Sequence, residues 1–146
     1  MQNIEYQVSL KVILKKADKI LALQEKTGSF AGFFDLPGGR IHEGETLTPF
    51  TKIIKRELQE ELGDVQYKLH PKPFAVGRHV TSGSISRSGK DVAILYLFFE
   101  AEYLNGDVKI SDEHDGMKWI DLKNPEKFFK SGILDGVEQY KGKAKK

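Results

Sequence analysis

Apolar and polar residues alternate from residue 5 to 15, with Tyr6, Val8, Leu10, Val12 and Leu14 on one side and mostly polar residues on the other. This two-residue period predicts a β-strand. Ala17, Asp18 and Lys19 read as a turn, and residues 20–24 as a second strand paired with the first in a hairpin. Residues 27–32 form a loop, and residues 33–36 a short strand stopped by Pro37-Gly38-Gly39. Residues 38–47 then make a polar, glycine-containing loop. Thr48 suits a helix cap and Pro49 a first helical position, so a helix is predicted over 49–62 with Gly63 closing it.

Further strands are predicted at 65–69, 74–80 and 93–103, the last two joined by the long polar loop 81–91. Asn105-Gly106-Asp107 is a turn, and 111–116 is an acidic loop leading into a strand at 117–121. Asn124-Pro125 opens a helix carrying Phe128 and Phe129, and a second short helix covers 133–140. No internal repeat or linker interrupts the chain. A mixed sheet with one central helix and C-terminal helices is the natural packing, an α/β sandwich.

Length and charge narrow the picture. At 146 residues the chain is about one ordinary domain, expected over 1–140, with a basic tail at 141–146 expected to be disordered. Net charge is +2, but Lys141, Lys143, Lys145 and Lys146 sit in that tail, which leaves the body at 2 − 4 = −2. The pI of 8.7 is therefore partly a tail effect, and no specific nucleic-acid partner is expected. A hydrophobic fraction of 39% with nine Phe supports a real core. There is no cysteine, which excludes disulfides, thiol catalysis and Cys-ligated metal sites and fits a reducing cytoplasm. No apolar run approaches the roughly 20 residues of a membrane helix, and the N-terminus lacks the pattern of a signal peptide, so no membrane partner is expected.

The candidate chemistry lies in Arg56-Glu57-Leu58-Gln59-Glu60-Glu61-Leu62-Gly63. On a helix Glu57, Glu60 and Glu61 stand at i, i+3 and i+4 and share a face, with Ile54, Leu58 and Leu62 beside it. Carboxylates this close repel one another unless a cation lies between them, and hard divalent cations take such oxygens. Taken alone, the run reads either as a solvated acidic face or as a cation site.

The residues before it change that reading. Gly39, five residues, Glu45, and then Arg56 to Gly63 residue by residue resemble the box of the Nudix hydrolase family, and Pro37-Gly38-Gly39 and Glu43-Gly44-Glu45 resemble the family's approach to it. Two departures stand out. Ten residues rather than seven separate Glu45 from Arg56, and Asp64 replaces a usual aliphatic residue. The resemblance implies a Nudix-like α/β/α sandwich with a mixed β-sheet, a box loop and helix, and C-terminal helices. It implies a metal-dependent pyrophosphohydrolase acting on a nucleoside diphosphate linked to another moiety: a nucleoside triphosphate, dinucleotide or nucleotide sugar. Mg²⁺, with Mn²⁺ as the alternative, would be held by Glu57, Glu60, Glu61 and the Gly38 carbonyl, with Glu57 as ligand or base and Arg56 orienting the carboxylates. The three extra residues leave the helical carboxylates in register and put the place of Glu45 in question.

Outside the box, Glu113 lies six residues before Trp119 in an acidic loop that reaches the metals in several family members, and it is a candidate base as well as a candidate solvated residue. Asp112, His114 and Asp115 are weaker candidates for that role. His42, His70 and His79 lack zinc-site spacing. Arg78 and Arg87 are candidate phosphate contacts or plain solubilising charges. Of Phe33 and Phe34 one should pack in the core, and Phe34 is the candidate to stack on a base. A small-molecule nucleotide is the implied partner, and a homodimer is compatible with the family. The rival readings are a catalytically silent nucleotide sensor, which an intact acidic helix argues against, and a prenyl-diphosphate isomerase, which would typically need a cysteine.

Overall fold

The computed structural model describes residues 1–26 and 30–144. The expected loop at 27–32 thus lies partly outside the described residues, as do Lys145 and Lys146 of the tail. The elements in order are β1 (Gln7–Lys16), β2 (Lys19–Glu25), β3 (Phe34–Asp35), β4 (Gly38–Arg40), α1 (Phe50–Leu62), β5 (Gln66–Leu69), β6 (Ala75–Thr81), β7 (Val92–Asn105), β8 (His114–Asp121), a 3₁₀ turn (Pro125–Lys127) and α2 (Ser131–Ala144). All strands join one mixed sheet. β1 runs parallel to β7, while the remaining pairs are antiparallel.

Each face of the sheet buries its own core, which makes the α/β/α sandwich. Leu10, Val12, Leu14, Leu21 and Leu23 meet Ile53, Ile54, Leu58 and Leu62 of α1. On the other face Ile13, Ile20, Ala22 and Phe98 meet Phe129 and Ile133 and Val137 of α2. β1 therefore departs from its expected half-buried pattern. Ser9, Lys11 and Ile13, on the side read as polar, are as buried as the apolar side, because the second layer covers them.

β1 and β2 pair only next to their turn, at Lys15–Ile20 and Lys16–Lys19. Beyond it they diverge, and the next segment fills the wedge: β3 pairs with β2, and β4 with β1. Residues 38–40, expected as loop, are strand because of this insertion. Gly38 makes it possible. It has φ +126°, and a Cβ there would stand 1.9 Å from the Leu10 carbonyl oxygen. No side chain fits that approach.

α1 begins one residue later than expected. Pro49 (φ −54°, ψ 137°) is extended and its carbonyl accepts the first helical bonds, while no side chain caps the end. Gly63, with φ 78°, ends the helix as expected. The expected helix around Phe128 and Phe129 is only the 3₁₀ turn, since Ser131 (φ 55°) breaks the backbone before α2 starts. α2 in turn runs past the expected end. Lys141–Ala144 are helical, so the disorder expected from residue 141 does not begin there. No helix among the described residues is long and apolar enough to cross a membrane.

The outer edge of β6 is covered by α2. The Gln139 side chain accepts from the Val76 N–H and donates to the Val76 carbonyl, like a fragment of a neighbouring strand. At the second residue of α2, Gly132 lies flat against Arg78, where a Cβ would come within 2.4 Å of the Arg78 carbonyl oxygen. Gly132→Ala is expected to destabilise the fold by about 1–3 kcal/mol in denaturant titrations, the usual cost of overpacking a rigid contact. Gly142→Ala, which meets nothing within 4 Å, should be neutral or slightly stabilising.

Candidate functional site

α1 presents its carboxylates in two ways. Ile53, Glu57 and Glu61 follow one another at four-residue steps beside the apolar row Ile54, Leu58 and Leu62, so packing that row on the sheet draws Glu57 and Glu61 inward. Both are buried, at 8% and 6% exposure. Glu60 points outward, its side chain 60% exposed.

The β3–β4 segment meets these side chains. The Gly38 N–H donates to Glu61 Oε1 at 2.8 Å. Gly39 leaves room for Glu57, whose Oε2 would lie 2.5 Å from any added Cβ. Burial pushes the Glu61 carboxyl up to about 7, against the pull of Lys11 and the Gly38 N–H. Burial also raises Glu57, which Arg56 partly offsets.

Arg56 is the hub. Its guanidinium grips Glu45 bidentately (2.9 Å and 3.2 Å), reaches Glu57 at 3.1 Å and Glu60 at 3.4 Å. Glu45 also accepts from the His42 N–H at 2.9 Å. That bond and Arg56 hold its carboxyl below the usual range. Turns at 42–48 precede the helix, and Glu45 meets Arg56 across the ten-residue spacer.

Lys11 lies under the carboxylates. Its ammonium donates to Asp35 Oδ2 at 2.9 Å. Burial would lower its pKa, but Asp35 and Glu61 outweigh that and keep it charged. His114 Nε2 stands 3.8 Å from Glu25 and 3.9 Å from Glu61, and Glu25 raises its pKa despite burial. A bulge creates this pairing: Gln24 faces Gly116 and Glu25 faces His114, which leaves Asp115 unpaired and exposed.

These groups line one cleft of about 530 Å³. Among the expected residues, Gly38, Glu57, Glu60, Glu61, Arg87 and Glu113 line it. Arg56 stands behind as their support. Arg78 and Phe34 are not part of the lining. Arg78 is exposed on β6 with its backbone against Gly132, and Phe34 packs edge-on against Phe128 at 6.0 Å. The phenyl and phenol rings that line the cleft are those of Phe30 and Tyr96. Asp112 is exposed, its carbonyl taken by Lys26, whereas His114, the weaker candidate, is inside.

Lys11, Glu25, Asp35 and Arg40 went unmarked in the sequence. One signal for Lys11 was available: a lysine between Leu10 and Val12, in the middle of a strand, needs a partner if both faces are covered. That partner, Asp35, is 24 residues away.

The donor set fits a hard divalent cation: carboxylate oxygens, two of them desolvated, beside a glycine turn with no side chain in the way. Among the described residues no three acidic or histidine side chains stand together closely enough to hold a metal ion as they are placed. Arg56 is shared between Glu57 and Glu60, and Glu61 accepts from the uncharged Gly38 N–H, so the three are held apart and their charge is met only in part.

Comparison with known proteins shows the family and the fold. The NUDIX domain model matches residues 5–135. The chain is 29% identical over 117 residues to an ADP-ribose pyrophosphatase of Methanocaldococcus jannaschii, a match covering 80% of this chain and 63% of that protein's length. It is 26% identical over 99 residues to the nucleoside triphosphatase NudI of Escherichia coli O81, covering 67% of this chain and 68% of the relative. Among solved structures, a MutT NUDIX hydrolase from Burkholderia pseudomallei superposes with a TM-score of 0.71 at 22% identity, covering 93% of this chain and 98% of the other. A MutT protein from Methanosarcina mazei Go1 gives 0.68 at 24% identity over the full length of both chains. The NUDIX domain of Shewanella oneidensis NrtR, complexed with ADP ribose, gives 0.63 at 16%, covering 97% and 90%.

The raised Glu61 pKa has a consequence for stability. A carboxyl whose folded pKa lies above its unfolded value adds stability below about 4.5, and that contribution is lost as pH rises toward 7. In metal-free protein Glu61→Gln should therefore unfold at a higher temperature than the wild type at pH 8, by an amount equivalent to roughly 3 kcal/mol. The two should converge near pH 5. Calorimetric melts at both pH values check this.

Proposed function

This chain belongs to the NUDIX family, and from that premise we propose that it is a metal-dependent pyrophosphohydrolase that cleaves a nucleoside diphosphate linked to another moiety. The observation that carries the reading is the pair of buried carboxylates, Glu57 and Glu61, set against the Gly38-Gly39 turn without a full complement of cations. The names of the relatives, an ADP-ribose pyrophosphatase and a nucleoside triphosphatase, support a small nucleotide as substrate. A cytoplasmic location fits such a substrate.

Nudix hydrolases generally use divalent metals; Mg²⁺, with Mn²⁺ as the alternative, is the proposed ion. It would be held by Glu57, Glu60, Glu61 and the Gly38 carbonyl. A divalent cation there supplies charge neutralisation of the phosphates and a more acidic bound water. The protein's own part is to hold these oxygens ready. Arg56 restrains Glu57 and Glu60 from one side, and Glu45 fixes the guanidinium itself. Gly38 holds Glu61 through its N–H. Hydrolysis adds water across one P–O–P bridge: a new P–O bond forms, one bridging P–O bond breaks, and a carboxylate takes the water proton. Glu113, at the cleft mouth on the turn before β8, and Glu57 are the candidates for that proton. Phe30 lines the cleft and Phe34 does not, which supports Phe30 as the ring that would pack against a base.

A panel of nucleoside triphosphates, dinucleotides and nucleotide sugars, assayed with and without Mg²⁺, tests the proposal. Turnover should require the metal. Glu60→Gln and Glu61→Gln should each lower kcat on the order of 10³-fold with the fold intact by circular dichroism. Near-normal turnover in Glu61→Gln would remove that residue from the site. Tight nucleotide binding with no turnover of any substrate would point instead to a sensor domain.

A further inference from the structure

The cleft has a second lobe. It is lined by Gln7, Lys26, Ile85, Ser86, Ser88 and Val92, and it shares Glu25, Arg40, Thr81, Arg87 and Glu113 with the first. Setting the shared residues aside, the charges separate cleanly. The first lobe holds four carboxylates, Asp35, Glu57, Glu60 and Glu61, against the single ammonium of Lys11. The second holds Lys26 and no carboxylate. Arg40 and Arg87 stand at the junction.

Neither arginine has an acidic partner among the described residues, although Glu25 and Glu113 line the same space. Arg40 is instead aimed by a neutral acceptor, Gln7 Oε1, at 2.7 Å from its Nη1. The loop carrying Arg87 is braced from within. The Gly83 N–H donates to Asp91 at 2.8 Å, and Ser86 Oγ donates to the Lys90 carbonyl. Across the lobe, Lys26 donates to the Asp112 carbonyl and so ties the turn bearing Glu113 to β2. Two guanidinium groups with no ion-pair partner among the described residues, set in a concave surface, suit a multiply charged anion, since a planar fork of donors matches phosphoryl oxygens.

We propose that Arg40 and Arg87 bind a phosphoryl group beyond the two that flank the scissile bond, so that this enzyme selects a nucleoside triphosphate over a nucleoside diphosphate joined to a sugar. The inference rests on the reading of the acidic lobe as the hydrolytic site. With the scissile diphosphate at Glu57, Glu60 and Glu61, the substrate's next group extends into the adjoining lobe. A neutral sugar there gains only hydrogen bonds to the arginines. A third phosphate gains charge-assisted ones and neutralises the pair. Arg40 and Arg87 are thus specificity residues, and neither is asked to take part in proton transfer.

The test compares kcat/KM for ATP and ADP-ribose, with Mg²⁺, in the wild type, Arg87→Ala, Arg40→Ala and Arg87→Lys. Arg87 is exposed on a loop, so its removal leaves the cores untouched. Each alanine variant should lower kcat/KM for ATP at least about tenfold more than for ADP-ribose, with most of the change in KM, the range expected for a lost charge-assisted bond. Arg87→Lys should recover part of it, because the charge returns without the fork. Equal losses on both substrates, or none, overturn the proposal. If the wild type hydrolyses neither, the hydrolytic reading is judged on the full substrate panel, and titration calorimetry with inorganic triphosphate in Mg²⁺ decides the subsite separately. A Kd weakened tenfold or more in Arg87→Ala supports it, and an unchanged Kd overturns it.

Discussion

The structure depends on a helix that buries two carboxylates along with its leucines. Ionised groups do not leave water without partners. Neighbouring groups meet part of that requirement: the Gly38 N–H and Lys11 for Glu61, Arg56 for Glu57. The compensation is incomplete, since Glu61 is still pushed up to about 7. An incompletely compensated acidic pocket is a poor structural solution and a suitable cation receptor, because the ion supplies what the protein withholds.

The wedge between β1 and β2 makes this pocket possible. Had the hairpin paired along its whole length, no room would remain for β3 and β4. Its early divergence lets Asp35 reach Lys11 and lets Gly38 and Gly39 lie against α1. Both glycines are required by close approach, one to the Leu10 backbone and one to the Glu57 carboxylate. The turn between β3 and β4 is thereby bound to the sheet on one side and to the helix on the other, and the site gains rigidity from two cores at once.

Charge is divided along the cleft. The acidic lobe is anchored in regular structure, while the basic lobe is carried in part by the hairpin loop of Arg87 and the β2 end at Lys26. The candidate metal ligands belong to the scaffold; of the two arginines proposed to meet the far end of a substrate, Arg40 ends β4 and Arg87 stands on a loop.

Much of this was legible in the chain alone. The alternation of β1, the helix between Pro49 and Gly63, and the spacing of Glu57, Glu60 and Glu61 follow from local periodicity, which depends only on residues a few positions apart. The box pattern carried the family with it, despite a spacer of ten residues. Which carboxylates turn inward was not legible: Glu57 and Glu61 are buried and Glu60 is exposed because of the face that α1 presents to the sheet. Nor were Lys11 with Asp35, Glu25 with His114, or Phe30 in place of Phe34. Each of these depends on contacts between residues far apart in sequence, on a strand divergence and on one bulge. The sequence by itself determined the chemical groups and their local spacing. Only the tertiary structure decided which of them meet, because burial and charge pairing are properties of the packed layers rather than of any single segment.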